Sequence, residues 1–332
     1  MALCRHRSDL LGNRPSRCLT VAVESAREVT VTAVNEQKLS ARGEMSDAQG
    51  RAALAGLVSL LDLERLEDNL FRGVSPENST MRVFGGQVAA QALTAAGRTV
   101  ESDRRVHSLH AYFLRPGDPA VPIVFDVDRI RDGQSFTTRR VVAIQHGKPI
   151  FTLSGSFQLD QDGVDHGDLM PKVPAPEDLP TFTERVAAAS APLAAFRTIP
   201  RPFDVRYVNE PPWNSGAAPK PGARSQVWFR SYDRLPDDQL LHVCMLAYLS
   251  DLTLLDSILT THGLGGSWQT LKLASLDHAM WFHRPIRVDD WVLYDTHSPS
   301  ASGSRGLASG HFFAADGAML ATVVQEGLVR VG

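Results

Sequence analysis

The sequence predicts an α+β protein built from two copies of one unit, a helix followed by an antiparallel meander of strands. Three observations carry that reading. A distinctive phrase occurs twice, "HSLHAYFLRP" at 107–116 and "LDHAMWFHRP" at 276–285, with its arginines, Arg115 and Arg284, 169 positions apart. Each copy follows a run of strong helix formers and precedes strand-like runs broken by turns. The hairpin glycines Gly147 and Gly317 repeat at an offset of 170. Self-similarity at a fixed period marks a duplicated supersecondary unit.

The elements follow in chain order. Residues 1–44 hold scattered arginines (Arg5, Arg7, Arg14, Arg17, Arg27, Arg42) and no apolar periodicity. Glu24, Glu28, Glu36 and Glu44 argue against a transit peptide, and "LTVAV" is too short for a signal-peptide core. This stretch reads as a disordered, dispensable extension, or as a start placed upstream of Met45. Residues 45–160 form the first repeat. Leucines and alanines at helical spacing predict one amphipathic helix from Ala52 to Leu70. A second helix is expected within 82–100, opening on Gly85 and Gly86. The runs "HSLHAYFLR", "VPIVFDVDRI", "SFTTRRVVAIQ" and "KPIFTLSGSFQL" then read as strands, separated by "RPGD", "RDG" and "HGK".

Residues 161–202 are rich in Pro, Asp and Ala and read as a linker with one short helix over Thr183–Ala189. Residues 203–332 form the second repeat. "SQVWFRSY" is strand-like, and a single long helix is predicted over 237–260, opened by Pro236 and Asp237. It is apolar nearly all round, which predicts burial. Four further runs from Leu271 to Val331 make the second meander.

Composition narrows the functions. The chain has 332 residues, 43% of them hydrophobic and 21% charged, an ordinary globular balance with room for roughly two domains. With 34 basic against 37 acidic side chains the net charge is −3, which excludes the broad basic field of a nucleic-acid binder. Cys4, Cys18 and Cys244 give neither a disulfide framework nor metal spacing, and a reducing cytoplasm is the simplest compartment. No apolar run approaches the ~20 residues of a membrane-spanning helix.

From about Leu60 to Arg330 the chain resembles the type II acyl-CoA thioesterases. The stretches that carry the resemblance are "FRG", "FGGQVAAQAL", "VHSLHAYFLRPGDP", "IRDGQSFTTRRVVAIQHGKPIF", "LAYLSD", "LDHAMWFHRP" and "VQEGLVR". The resemblance implies a double hot-dog fold, in which each sheet wraps a central helix and the two sheets meet edge to edge. It also implies an acyl-CoA substrate hydrolysed to a fatty acid and coenzyme A without metal or cofactor. Hot-dog sheets commonly continue across subunits, so it implies a homo-oligomer as well.

Spacing alone leaves Asp251 open between a cap at a helix break, shared with Ser250, and a functional carboxylate. An ionised carboxylate in an apolar helix is costly unless paired or hydrogen-bonded. The resemblance places Asp251 of "LAYLSD" at the family's catalytic aspartate, Gln325 of "VQEGL" at its catalytic glutamine, and Ser275 at its Ser/Thr position. Thr is the better-known residue there; Ser keeps the hydroxyl but lacks the β-branch that stiffens χ1. Read without the resemblance, Gln325 is an edge-strand amide and Ser275 a sheet hydroxyl. Together the three suit thioester hydrolysis, Asp251 as base and Ser275 and Gln325 as orienting groups for a water.

Other constellations are weaker. No Ser has Gly at both −2 and +2, so there is no nucleophile elbow. Strand alternation puts His107 and His110 on opposite faces, against a metal site. Cys244 in an apolar helix reads as packing, and "GLGGS" at 263–267 as a turn. Arg115, Arg139, Arg140, Arg284 and Arg305 are candidates for coenzyme A phosphates, though each is as readily a solvated strand charge. A hot-dog enoyl-CoA hydratase, pairing an Asp with His278 or His283, and a non-catalytic acyl-CoA binder are the rival readings. Aligning His110 with His278 sets His107 opposite Ser275, and the glycine offset sets Gly155 opposite Gln325, so one active site per chain is expected.

Overall fold

A computed structural model describes residues 46–76, 82–187, 200–214, 218–265 and 270–332. Residues 1–44, with the expectations attached to them, fall outside that set. Among the described residues thirteen strands form one antiparallel sheet that wraps two buried helices.

Helix α1 (Asp47–Leu61) opens on a capping box, Ser46 and Gln49 each bonding the other's backbone N–H. It ends nine residues before the expected Leu70. The apolar spacing does run on through Leu63, Leu66 and Leu70, but Asp68 and Asn69 turn the chain into a hairpin of β1 (Glu64–Glu67) and β2 (Leu70–Gly73). The open edge of β4 (Ile123–Asp132) captures β2, with Phe71 opposite Phe125. A sheet edge that needs partners overrides helical spacing here.

Helix α2 (Gly85–Gly97) is buried along nearly its whole length. The first meander follows as β3 (Arg104–Phe113), β4, β5 (Phe136–Gln145) and β6 (Lys148–Leu159). Beyond β6 the chain lies along the outer face of the second repeat's strands. There Met170, Val173 and Leu179 pack on Trp228, Trp291, Leu293 and Phe313, and Trp228 Nε1 donates to Pro174 O at 3.1 Å. A short helix α3 (Phe182–Ala187) covers part of the expected Thr183–Ala189 span; residues 188 and 189 lie outside the described set.

The second repeat holds β7 (Phe203–Tyr207), β8 (Arg224–Ser231), helices α4 (Gln239–Ser250) and α5 (Asp256–His262), then β9 (Leu271–Ser275), β10 (Asp277–Phe282), β11 (Val292–Ser302), β12 (Arg305–Ala314) and β13 (Met319–Val331). The predicted helix over 237–260 is therefore two helices, separated at Asp251–Leu255. No Gly or Pro causes the break. Ser250 Oγ lies 2.8 Å from the carbonyl of Ala247, a back-bond that weakens the last turn, and the Asp251 side chain is drawn sideways by partners in other elements. The burial expected of this helix holds for His242–Ala247, Leu249 and Ser250. Each large apolar side chain so placed contributes about 1.5–3 kcal/mol.

The strand order is β1-β2-β4-β5-β6-β3-β10-β13-β12-β11-β8-β7, so the repeats meet along β3 and β10. Their register, Leu109 opposite Met280 and Ala111 opposite His278, corrects the alignment of the two phrases. His278 faces the interior, whereas His110 faces outward against Trp281. Since a slip of one residue exchanges the faces of a strand, these histidines are not equivalents. The arginine offset of 169 holds instead along the strand, matching His278 to Leu109 and Ser275 to Val106. Both repeats carry an irregularity at the same place, at His107 and at Leu276.

Candidate active site

The two central helices run antiparallel. Thr94 Oγ1 of α2 lies 3.3 Å from Cys244 Sγ of α4, Gly97 abuts Leu240, and Gly86 abuts the Tyr248 carbonyl. The N-terminus of α2 is thereby held against the C-terminus of α4, where Asp251 is the cap residue. A Cβ on Gly86 would sit 2.5 Å from Tyr248 O, and one on Gly85 would sit 2.6 Å from Asp251 Oδ2. The approach of the two chains requires residues without side chains at both positions.

Three side chains predicted from sequence converge there. Ser275, the last residue of β9, donates from Oγ to Asp251 Oδ1 at 3.0 Å. Gln325 of β13 donates from Nε2 to the same oxygen at 3.1 Å and to Ser275 Oγ at 2.8 Å. Gly327, two residues on in β13, pairs with Ser275, which fixes the spacing of the two strands. The Gly86 backbone N–H also donates to the Asp251 carboxylate. The Asp251 backbone thus ends α4, and its side chain is the hub of a polar cluster.

Burial raises the Asp251 carboxyl above the ordinary value of 3.8, opposed by the charge of His278 and by hydrogen bonds from Gln325, Ser275 and Gly86. Desolvation favours the neutral acid, and each donor aimed at the carboxylate favours the anion. The result is a carboxylate more basic than one in water.

Sequence reasoning did not anticipate the surroundings of the trio. His278 is 1% exposed and Gln325 fully buried. His278 Nδ1 contacts Gln325 Oε1, and its Nε2 lies 2.8 Å from Ser250 Oγ. It makes no hydrogen bond to Asp251, with Gln325 standing between them. His283 bonds Thr322 Oγ1 at 2.8 Å and is not part of the cluster. Gly85 and Gly86 come from the other repeat; their adjacency at the opening of a helix is a signal from which a close approach could have been read, and was not.

The arginines proposed for phosphates are engaged otherwise. Arg139 is no solvated charge: it is 1% exposed and donates to Thr99 Oγ1, Thr99 O, Arg131 O, Thr138 O and Asp132. Arg140 pairs with Asp128, Arg284 with Asp165, Arg305 with Glu326, and Arg115 donates to Pro149 O. His107 bonds Ser156 Oγ at 2.8 Å, a different partner from that of His110. Gly263 caps α5 at φ 65°, in the turn expected of "GLGGS", of which residues 266 and 267 lie outside the described set. No helix among the described residues is long and apolar enough to cross a membrane.

A continuous sheet wrapping two antiparallel helices, one per repeat, defines the double hot-dog class. A protein with a hot-dog fold from Alicyclobacillus acidocaldarius superposes with a TM-score of 0.67 over 83% of this chain and 98% of its own, at 21% identity. Family models for an acyl-CoA thioesterase N-terminal domain and for acyl-CoA thioesterase match residues 75–158 and 203–328. Acyl-CoA thioesterase 2 of Haemophilus influenzae is 41% identical over 83% of this chain and 98% of its own length. The crystal structure of acyl-CoA thioesterase II TesB2 from Mycobacterium marinum is 48% identical, with a TM-score of 0.70 over 83% of this chain and 98% of that one. The chain belongs to the acyl-CoA thioesterase II family. It is a thioester hydrolase.

Proposed function

We propose that the protein hydrolyses acyl-CoA thioesters, with fatty acyl-CoA as the substrate class, by direct attack of water. The supporting observation is the placement of one basic carboxylate, Asp251, under two side-chain donors that share its Oδ1. With Oδ1 held by Ser275 and Gln325, the carboxylate plane is fixed and Oδ2 is left to take a proton from water. The water oxygen forms a bond to the thioester carbon, and collapse of the tetrahedral species expels the coenzyme A thiolate. The proton held by Asp251 is then returned to solvent or to the thiolate. The N-terminus of α2, whose Gly86 N–H is directed at Asp251, brings the positive end of a helix to this centre and supports stabilisation of the developing oxyanion there.

Nucleophilic catalysis has less support. Cys244 is buried, and burial pushes its thiol up to about 12, so it is not a thiolate at neutral pH. The hydratase reading needs a histidine facing the ligand, yet both ring nitrogens of His278 are taken by protein partners. Sheets of this kind joining across subunits support a homo-oligomer. Asp251→Asn keeps the shape and removes the base. It should lower kcat by about 10²-fold or more with the melting temperature kept. A folded D251N protein with normal release of coenzyme A, its amide verified intact by mass spectrometry, would overturn the proposal.

A further inference from the structure

We infer that His278 is a positioning residue for hydrolysis, acting through Gln325 by holding the side-chain amide in the one orientation that serves Asp251 and Ser275. The inference deepens the assignment of Asp251 as base and rests on it.

Chemistry fixes the direction of each hydrogen bond. The Gln325 amide lies against Asp251 Oδ1, and a carboxylate oxygen only accepts, so the group facing it is the NH2. The carbonyl Oε1 then points the other way, toward His278 Nδ1. An amide oxygen also only accepts, so Nδ1 carries the hydrogen. Burial holds the His278 pKa below its ordinary value, opposed by the Asp251 charge, and Nε2 lies 2.8 Å from Ser250 Oγ. The imidazole is thus held at both ring nitrogens, its Nδ1–H fixes the amide, and the amide presents two donors to Asp251 and Ser275. A rotated amide would place its oxygen against the carboxylate and its NH2 against Nδ1–H, two repulsive contacts in a site with no exposed surface on Gln325.

The duplication separates this role from packing. The interior position that His278 fills in the second repeat is filled in the first by Leu109, which is fully buried. The first repeat also has Gly155 in place of Gln325 and Val106 in place of Ser275. The fold therefore accommodates a hydrocarbon at this point of the strand. Imidazole occurs only in the repeat that carries the carboxylate.

The test uses the full chain with His278→Leu, which copies the first repeat, and His278→Asn, whose side-chain NH2 falls near the place of Nδ1–H. Coenzyme A release should fall about tenfold or more in kcat for H278L with KM little changed, since the amide orients the reacting centre rather than the substrate. H278N should recover most of the loss. In a Gln325→Ala background, H278L should cost nothing further, because the group it orients is gone. A structural role would instead make the two effects multiply and follow the melting temperature. Wild-type kcat in H278L, equal loss in H278L and H278N, or multiplying effects with Q325A would each overturn the inference. The Asp251→Asn variant separates the two levels. An inactive D251N beside a fully active H278L refutes the role of His278 alone, whereas an active D251N removes the base on which both depend.

Discussion

Gly85→Ala is a one-carbon change made in one repeat that should disable chemistry in the other. The added Cβ would lie 2.6 Å from Asp251 Oδ2 and 2.8 Å from Phe113 Cε1. Ordinary contact begins near 3.4 Å, so the carboxylate must retreat by about 0.8 Å or the helix must shift by a similar amount. Retreat is resisted on the far side, where Ser275 and Gln325 hold Oδ1 at 3.0 and 3.1 Å. Misplacement on the order of 1 Å at a reacting centre costs about 10²-fold in rate. Stability should change little, because Ala is favoured over Gly in a helix by up to about 1 kcal/mol, which offsets part of the strain. The assay is continuous thiol release from a panel of acyl-CoAs, read beside a thermal melt. A G85A protein with wild-type kcat and an unchanged melt would refute the close approach itself. A large fall in melting temperature would show that the damage is to packing instead.

Ser275→Ala and Gln325→Ala each remove a donor that favours the ionised form of Asp251, so its carboxyl should rise further above 3.8. The acidic limb of the kcat profile should move to higher pH in both variants, and an unmoved limb would sink that account. Asp256 is held at about 7 by burial, opposed by the Tyr207 hydroxyl that donates to it at 3.0 Å. Its folded pKa exceeds its unfolded one, so the native state loses stability as pH rises from about 4 to 7 and has lost all of this contribution above that range. Asp256→Asn should then raise the melting temperature by a few degrees at pH 8, on the order of 1–3 kcal/mol after discounting for partial exposure, and by nothing at pH 4. Equal gains at both pH values would contradict it. Titration with a non-hydrolysable thioether analogue should saturate near one ligand per chain; two equivalent sites would show that the first repeat remains competent.

The duplication, the two helices and both meanders were legible because their signals are local: Gly- and Asp-marked turns, two-residue alternation and a repeated phrase. Where expectation failed, a tertiary partner decided the outcome. Leu63, Leu66 and Leu70 continue a helical spacing, yet the edge of β4 draws Leu70–Gly73 into the sheet. "LAYLSDLTLLDSIL" contains no breaker, yet the helix stops at Ser250, where the side chains of Ser250 and Asp251 find partners. The candidate trio was proposed only through family resemblance, since 74 residues separate Asp251 from Gln325 in the chain. His278 was visible as a residue but not as a role, which depends on the face it takes. The phrase that repeats in sequence is out of step with the faces by one residue at its histidines, and no pattern within either copy reveals that.

The register accounts for the single centre proposed for this duplicated unit. The antiparallel helices create two equivalent corners, each where the C-terminus of one meets the N-terminus of the other. At one corner α4 ends in Asp251; at the other α2 ends in Arg98, which donates to Leu63 O and Asp62. Along the strands Ser275, His278 and Gln325 answer to Val106, Leu109 and Gly155. The second corner still opens into a cavity of about 670 Å³ bordered by Gly97, His107 and Leu240. Space alone does not make it reactive. An interior polar group is tolerated only when fully partnered, and Ser275, His278 and Gln325 partner one another around Asp251. Losing any one member leaves its neighbours without a partner and degrades the alignment of Asp251, so the positions serve together when complete, and the first repeat instead carries Val106, Leu109 and Gly155. That mutual dependence is the reason intermediate compositions are disfavoured at either corner.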